Sequence, residues 1–264
     1  MNRWRLLKLE TFDPYMNMAI DEAILTARTA NQVQNTIRFY CWNPSAVSIG
    51  KFQRLENEVW LENCRKHGVC FVRRITGGGA VYHDAKDEIT YSVIASKEDL
   101  EAHDIAEVYS RICYGLVEAL RTLGIQADFN EGNMKVCPNL TVRGKKISGS
   151  SQSHKHGVVL QHGTLLLNVD LEKMFTFLRV PWAKTCMEVV NVARQKITSI
   201  ETEFGKDITI ERVNEALIEG FQKALDIELV KDNLSISELE LGYRLAKEKY
   251  ASEEWNFRAK SFLA

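Results

Sequence analysis

Four prolines in 264 residues and no Gly/Ser-rich stretch leave no linker to mark a domain boundary. Cysteine is also sparse and scattered. Cys41, Cys64, Cys70, Cys113, Cys137 and Cys186 include no CxxC pair, so the sequence lacks a zinc or dithiol signature and no metal site is assigned. In a reducing compartment such cysteines serve mostly as small buried hydrophobes. No apolar run approaches the length of a membrane span, and the polar start Met1-Asn2-Arg3-Trp4-Arg5 lacks the apolar stretch of a signal peptide. The sequence therefore predicts a cytoplasmic protein with no membrane role. An excess of one charge is missing as well: 34 Lys and Arg against 35 Asp and Glu give -1, too little for a dominant nucleic-acid footprint.

Two common phosphate-binding signatures are absent. A P-loop would need glycine at Asn139 and Ser or Thr at Lys146. The dinucleotide pattern starting at Gly77 would need its third glycine at Tyr82.

What is present is a globular composition, 45% hydrophobic and 26% charged, in a chain long enough for a sizeable core. The pattern predicts strands at 6–9, 37–42, 46–49, 70–72, 80–82, 89–94, 127–129, 136–142 and 158–169. Apolar residues at helical spacing predict helices over 16–27, 105–123 with a stop at Gly124, and 213–225 behind an N-cap at Thr209. Shorter helices are expected near 59–64 and 171–178, and Ser235 with Glu238 reads as a capping box for a last helix through Tyr250. Asn17, Asp21 and Glu22 read as polar groups that cap or complement the start of the first helix. Strands and helices without regular alternation indicate an α+β fold.

The residues Arg73 to Asp84, RRITGGGAVYHD, stand out because three consecutive glycines are costly to order. Flanked by two expected strands, they read as a tight turn whose bare backbone lets a ligand approach. Arg73 and Arg74 would supply charge beside an amide nest. The plainer reading is a hairpin turn with two surface arginines. Lys146, between Gly144 and Gly149, is the second signal. It either snorkels to solvent or points at the glycine turn, where its ammonium could stabilise charge as an acyl bond forms or breaks. His83 and His162 are candidate proton carriers or structural hydrogen-bonders.

Together, Asn17-Met18-Ala19-Ile20-Asp21-Glu22, RRITGGGAVYHD, Gly144 to Ser150, His162-Gly163-Thr164-Leu165-Leu166 and the late Lys249-Tyr250 with Trp255-Asn256-Phe257 resemble the lipoate-protein ligase A family. That wider group includes octanoyltransferases and biotin-protein ligases. The resemblance implies a mixed β-sheet flanked by helices and a single catalytic domain over 1–264, without the extra C-terminal domain of many ligases. A separately encoded accessory subunit would then be a partner. It also implies that lipoate and ATP, with Mg2+, give lipoyl-AMP, from which a lysine of a lipoyl-carrier domain takes the acyl group. By similarity, Arg74, Gly77, Gly78, Gly79, Val81 and His83 line the adenylate site, Lys146 contacts the acyl carbonyl and phosphate, and Ser148, Ser151 and His162 match further pocket positions. A covering loop is expected at 132–138.

The chain departs from the ligase pattern where an Asn-Asp pair usually precedes the glycine-lysine segment. Here it reads Cys137-Pro138-Asn139-Leu140, with Asn139 left to cover part of that role. Cys137 carries the alternative: an octanoyltransferase that moves octanoate between carrier proteins through a cysteine thioester, without ATP. An inert, buried Cys137 is the plainer reading of that residue. A non-catalytic lipoyl-binding module is a third reading, disfavoured by the cation cluster. The expectation adopted from the sequence is the ATP-dependent ligase.

Overall fold

Strands with apolar residues on both faces form the middle of the molecule. The computed structural model describes residues 2–132 and 138–257. Its larger sheet has eight strands in the order β11 (Ile227–Asp232), β1 (Asn2–Phe12), β2 (Thr36–Trp42), β6 (Glu88–Ser96), β10 (Val158–Leu166), β9 (Lys145–Lys155), β8 (Asn139–Val142) and β7 (Asp128–Asn130). β1 runs parallel to β11 and β2, and the remaining pairs are antiparallel, so the sheet is mixed. β2, β6 and β10 are buried along almost their whole lengths because helices cover both faces.

The helices Ile105–Thr122 and Ile210–Leu225 pack together over the main core. They approach so closely that a Cβ on Gly220 would lie 2.5 Å from the Gly115 carbonyl oxygen. The helix Pro14–Thr29 belongs to separate clusters that include β6 and β10 residues. The helix Ile236–Leu245 packs against it, and a π-helical turn, Ala246–Tyr250, follows. The α+β class and most element positions agree with the sequence reading. The strand β11 and the helices Cys186–Ala193 and Ile200–Phe204 were not anticipated. Among the described residues no helix is long and apolar enough to cross a membrane.

The second sheet corrects the hairpin. β3 (Ala46–Ile49) lies between β4 (Cys70–Arg73) and β5 (Val81–His83), parallel to the first and antiparallel to the second. β4 and β5 are therefore not partners, and the glycines cross over the end of β3 from one edge to the other. Each flanking strand satisfies its backbone groups on a third strand far away in sequence, which a local pattern cannot reveal. The loop expected at 132–138 falls mostly on 133–137, which lie outside the described residues, as does Cys137.

Candidate active site

Both sheets line a cavity of about 120 Å³. Arg74, Gly78, Gly79, Val81, His83, Lys146, Ser151 and His162 all face it, so the glycine crossover and the lysine meet around one space. Gly77, Asn139 and Ser148 do not line it. Asn139 is buried in β8 opposite Gly149, and Ser148 is buried with its hydroxyl oxygen unpartnered among the described residues. Pro138, next to Cys137 in the sequence, is part of the lining.

A register shift in the β8–β9 pair places Lys146 opposite Thr141. Its N–H donates to the Lys196 carbonyl at 2.7 Å and its carbonyl accepts from the Thr198 N–H at 2.9 Å. These bonds anchor the backbone, and the side chain folds over Gly149, where a Cβ would lie 2.6 Å from Nζ. Bare backbone at 149 thus makes room for the ammonium.

Of the three consecutive glycines only Gly78 has positive φ, +87°, while a Cβ at Gly77 or Gly79 would meet open space. The tightest approach comes from Gly50, whose Cβ would lie 2.1 Å from the Gly78 carbonyl oxygen. Arg74 grips the crossover by donating from Nη2 to the carbonyls of Gly77 and Gly79, each at 2.7 Å. Arg73 does not share this role, contrary to expectation. It is 1% exposed, and its guanidinium donates to the carbonyls of Gly50, Lys51, Gln53, Trp255 and Asn256. Its N–H donates to Asn256 Oδ1 and its carbonyl accepts from Trp255 Nε1. The Trp255-Asn256 motif therefore fixes β4 one residue before Arg74.

Two acid–histidine–hydroxyl chains flank the cavity and converge on Arg74. In one, His83 Nδ1 lies 2.7 Å from Glu88 Oε1 and Nε2 lies 2.8 Å from Ser48 Oγ. The His83 ring also stacks on Trp42 with centroids 3.9 Å apart. In the other, His162 Nδ1 lies 3.0 Å from Asp21 Oδ2 and Nε2 lies 2.8 Å from Thr76 Oγ1. Arg74 donates from Nη1 to Ser48 Oγ and from Nε to Thr76 Oγ1. With neutral rings, each hydroxyl donates to histidine and accepts from the arginine.

Asp21 corrects the capping assignment, since the helix is capped by Asp13 and Asp21 is buried inside the fold. It accepts from Arg38, Ser92 and Tyr40 as well as facing His162. Burial alone would push its carboxyl up, but the His162 hydrogen bond and the Arg38 charge hold it below its ordinary value. Burial pulls His162 down, against the raising effect of Asp21. Asn17 donates to the Phe12 and Cys41 carbonyls and accepts from Arg38. Glu22 accepts from Lys249 and Tyr250, which ties the first motif to the last. The sequence reading missed Ser48, Thr76 and Glu88. The available signal was polarity inside apolar strands, as at Ser48 in Ala46–Ile49.

A family model, the lipoyl protein ligase A/B catalytic domain, matches residues 13–222. The chain belongs to that family. It is similar to octanoyltransferase LipM of Brevibacillus brevis, 37% identical over 98% of this chain and 100% of that one. It is similar also to octanoyltransferase LipM of Bacillus subtilis, 36% identical over 97% and 98%. Among solved structures it is similar to a bi-partite lipoate protein ligase from Thermoplasma acidophilum, with TM-score 0.85, 31% identity and 98% of each chain covered. A lipoate-protein ligase A structure bound with ATP also gives TM-score 0.85, with 32% identity over 98% of this chain and 100% of that one.

These relatives bear out the family and the mixed sheet flanked by helices and overturn the activity expected from the sequence. The two full-length sequence relatives named above are octanoyltransferases. The absence of an Asn-Asp pair at Cys137-Pro138-Asn139-Leu140, where the ligase pattern carries one, fits the correction. ATP and Mg2+, which belonged to the ligase expectation, are not carried forward.

Proposed function

We propose that this chain is an octanoyltransferase that moves octanoate from a carrier-protein thioester, through Cys137, to a lysine of a lipoyl-carrier domain, without ATP. The observation that carries this reading is the full-length similarity to octanoyltransferases. In the first step the Cys137 thiolate attacks the acyl carbon, the bond to the donor sulfur breaks, and the donor leaves as its thiol after taking a proton. In the second step the acceptor amine forms the amide and Cys137 is released. Lys146 polarises the acyl carbonyl in both, and Arg74 holds the crossover that walls the cavity.

No described cysteine lines the cavity, and burial pushes Cys41, Cys64 and Cys113 up to about 11, where little thiolate forms. This supports giving the nucleophile's role to Cys137, the residue next to the lining residue Pro138 in sequence. We place the protein in the cytoplasm, acting as one catalytic domain over 1–264 without nucleic acid or membrane. A separately encoded accessory subunit, suggested by the bi-partite relative, is the further partner to supply in the assay.

The test is incubation with an octanoyl-carrier and an apo acceptor domain, with ATP omitted and with or without such a subunit. Octanoylation of the acceptor supports the reading. Transfer that requires ATP and free acid overturns it.

A further inference from the structure

Amide formation at the acceptor lysine poses a proton problem. An unperturbed lysine has a pKa of about 10.4 and arrives as an ammonium, which cannot attack until it loses a proton. We propose that Ser48, His83 and Glu88 form the relay that accepts this proton. This inference rests on the octanoyltransferase reading and adds the group that prepares its acceptor.

The first argument is reach. Ser48 lines the cavity; its hydroxyl accepts from Arg74 Nη1 at 3.1 Å and lies 2.8 Å from His83 Nε2, to which it donates when that nitrogen carries no proton. A second lone pair remains for a donor in the cavity. Thr76, which ends the other chain, does not line the cavity and also accepts from Ser151.

The second argument is charge. Asp21 is balanced by the Arg38 guanidinium at 2.9 Å, with both oxygens engaged. Glu88 is 1% exposed, accepts from Thr90 and faces His83, and its Oε2 has no hydrogen-bond partner among the described residues. Among the described residues its ion pair is with His83 alone. Glu88 is thus a positioning residue: it holds the His83 ring through Nδ1, which leaves Nε2 facing Ser48.

The step balances as follows. The ammonium gives a proton to Ser48 Oγ while the Ser48 proton passes to His83 Nε2. The neutral amine forms its bond to the acyl carbon, the carbon–sulfur bond breaks, and the second nitrogen proton goes to the leaving sulfur. His83 then returns its proton to solvent.

The experiment uses one octanoyl-enzyme and two nucleophiles: the acceptor-domain lysine, and hydroxylamine, which is already neutral near pH 7. Ser48→Ala and Glu88→Gln should each lower kcat for lysine about 100-fold or more with KM unchanged. Release by hydroxylamine should fall far less than transfer to lysine. Equal losses with both nucleophiles, or no loss with lysine, would overturn the relay. If Glu88→Gln does not fold, Ser48→Ala carries the comparison alone. Wild-type enzyme that takes up no octanoate would instead refute the octanoyltransferase reading, and the relay with it.

Discussion

The Lys146 ammonium occupies the space that a side chain at position 149 would need, with Nζ 2.6 Å and Cε 2.7 Å from an ideal Cβ on Gly149. Gly149→Ala should therefore push aside a flexible side-chain end and leave the backbone in place. Transfer should fall at least tenfold while the urea midpoint changes little. A Lys146→Ala protein should lose about 10²–10³ in kcat, the usual cost of removing a group that stabilises developing negative charge. Its fold should survive, because the backbone bonds to Lys196 and Thr198 that anchor the strand at 146 do not depend on the side chain.

At Gly163 the same substitution meets rigid neighbours. Its Cβ would lie 2.3 Å from the Gly149 carbonyl oxygen and 2.8 Å from Tyr91 Cε1. Gly163→Ala should cost about 1–3 kcal/mol, read from urea unfolding, before any effect on activity is considered.

Adjacent arginines should separate by assay. Arg73→Ala removes donors from five carbonyls and should cost roughly 3 kcal/mol, since buried acceptors are left unpaired. Arg74→Lys keeps a cation but loses the fork that spans Gly77, Gly79, Ser48 and Thr76. Activity should fall more than stability in that variant.

Stability should also report His162. Burial lowers its pKa on folding, so the unfolded chain binds the proton first, below its ordinary value of 6.5. The stabilising contribution is present above that value and is lost as pH falls through it, at up to about 1.4 kcal/mol per pH unit. Asp21, held low, adds the same sign only in more acidic solution, below 3.8. His162→Gln should flatten the dependence of unfolding free energy between pH 7 and 5. An unchanged slope would show that His162 titrates alike in the folded and unfolded chain.

The sequence made some of this legible for a physical reason. Gly78, Lys146 and His162 lie in short motifs whose composition is expensive without a site, and all three line the cavity. Arg73 and Arg74 are indistinguishable locally, and only the return of Trp255 and Asn256 from the far end of the chain separates them. Asp21 was misread because a carboxylate on the first helix satisfies capping preferences as well as burial against β2, β6 and β10. The placement of β3 between β4 and β5 depends on non-local pairing, as does the meeting of Ser48, His83 and Glu88.

Octanoyl transfer through Cys137 is tested most directly by the intact mass of the enzyme after incubation with octanoyl-carrier and no ATP. The expected result is one octanoyl increment, mapped to Cys137, missing in Cys137→Ser and removed when the apo acceptor domain is added. Efficient transfer by Cys137→Ser, or an adduct on another residue that the acceptor chases, would contradict it.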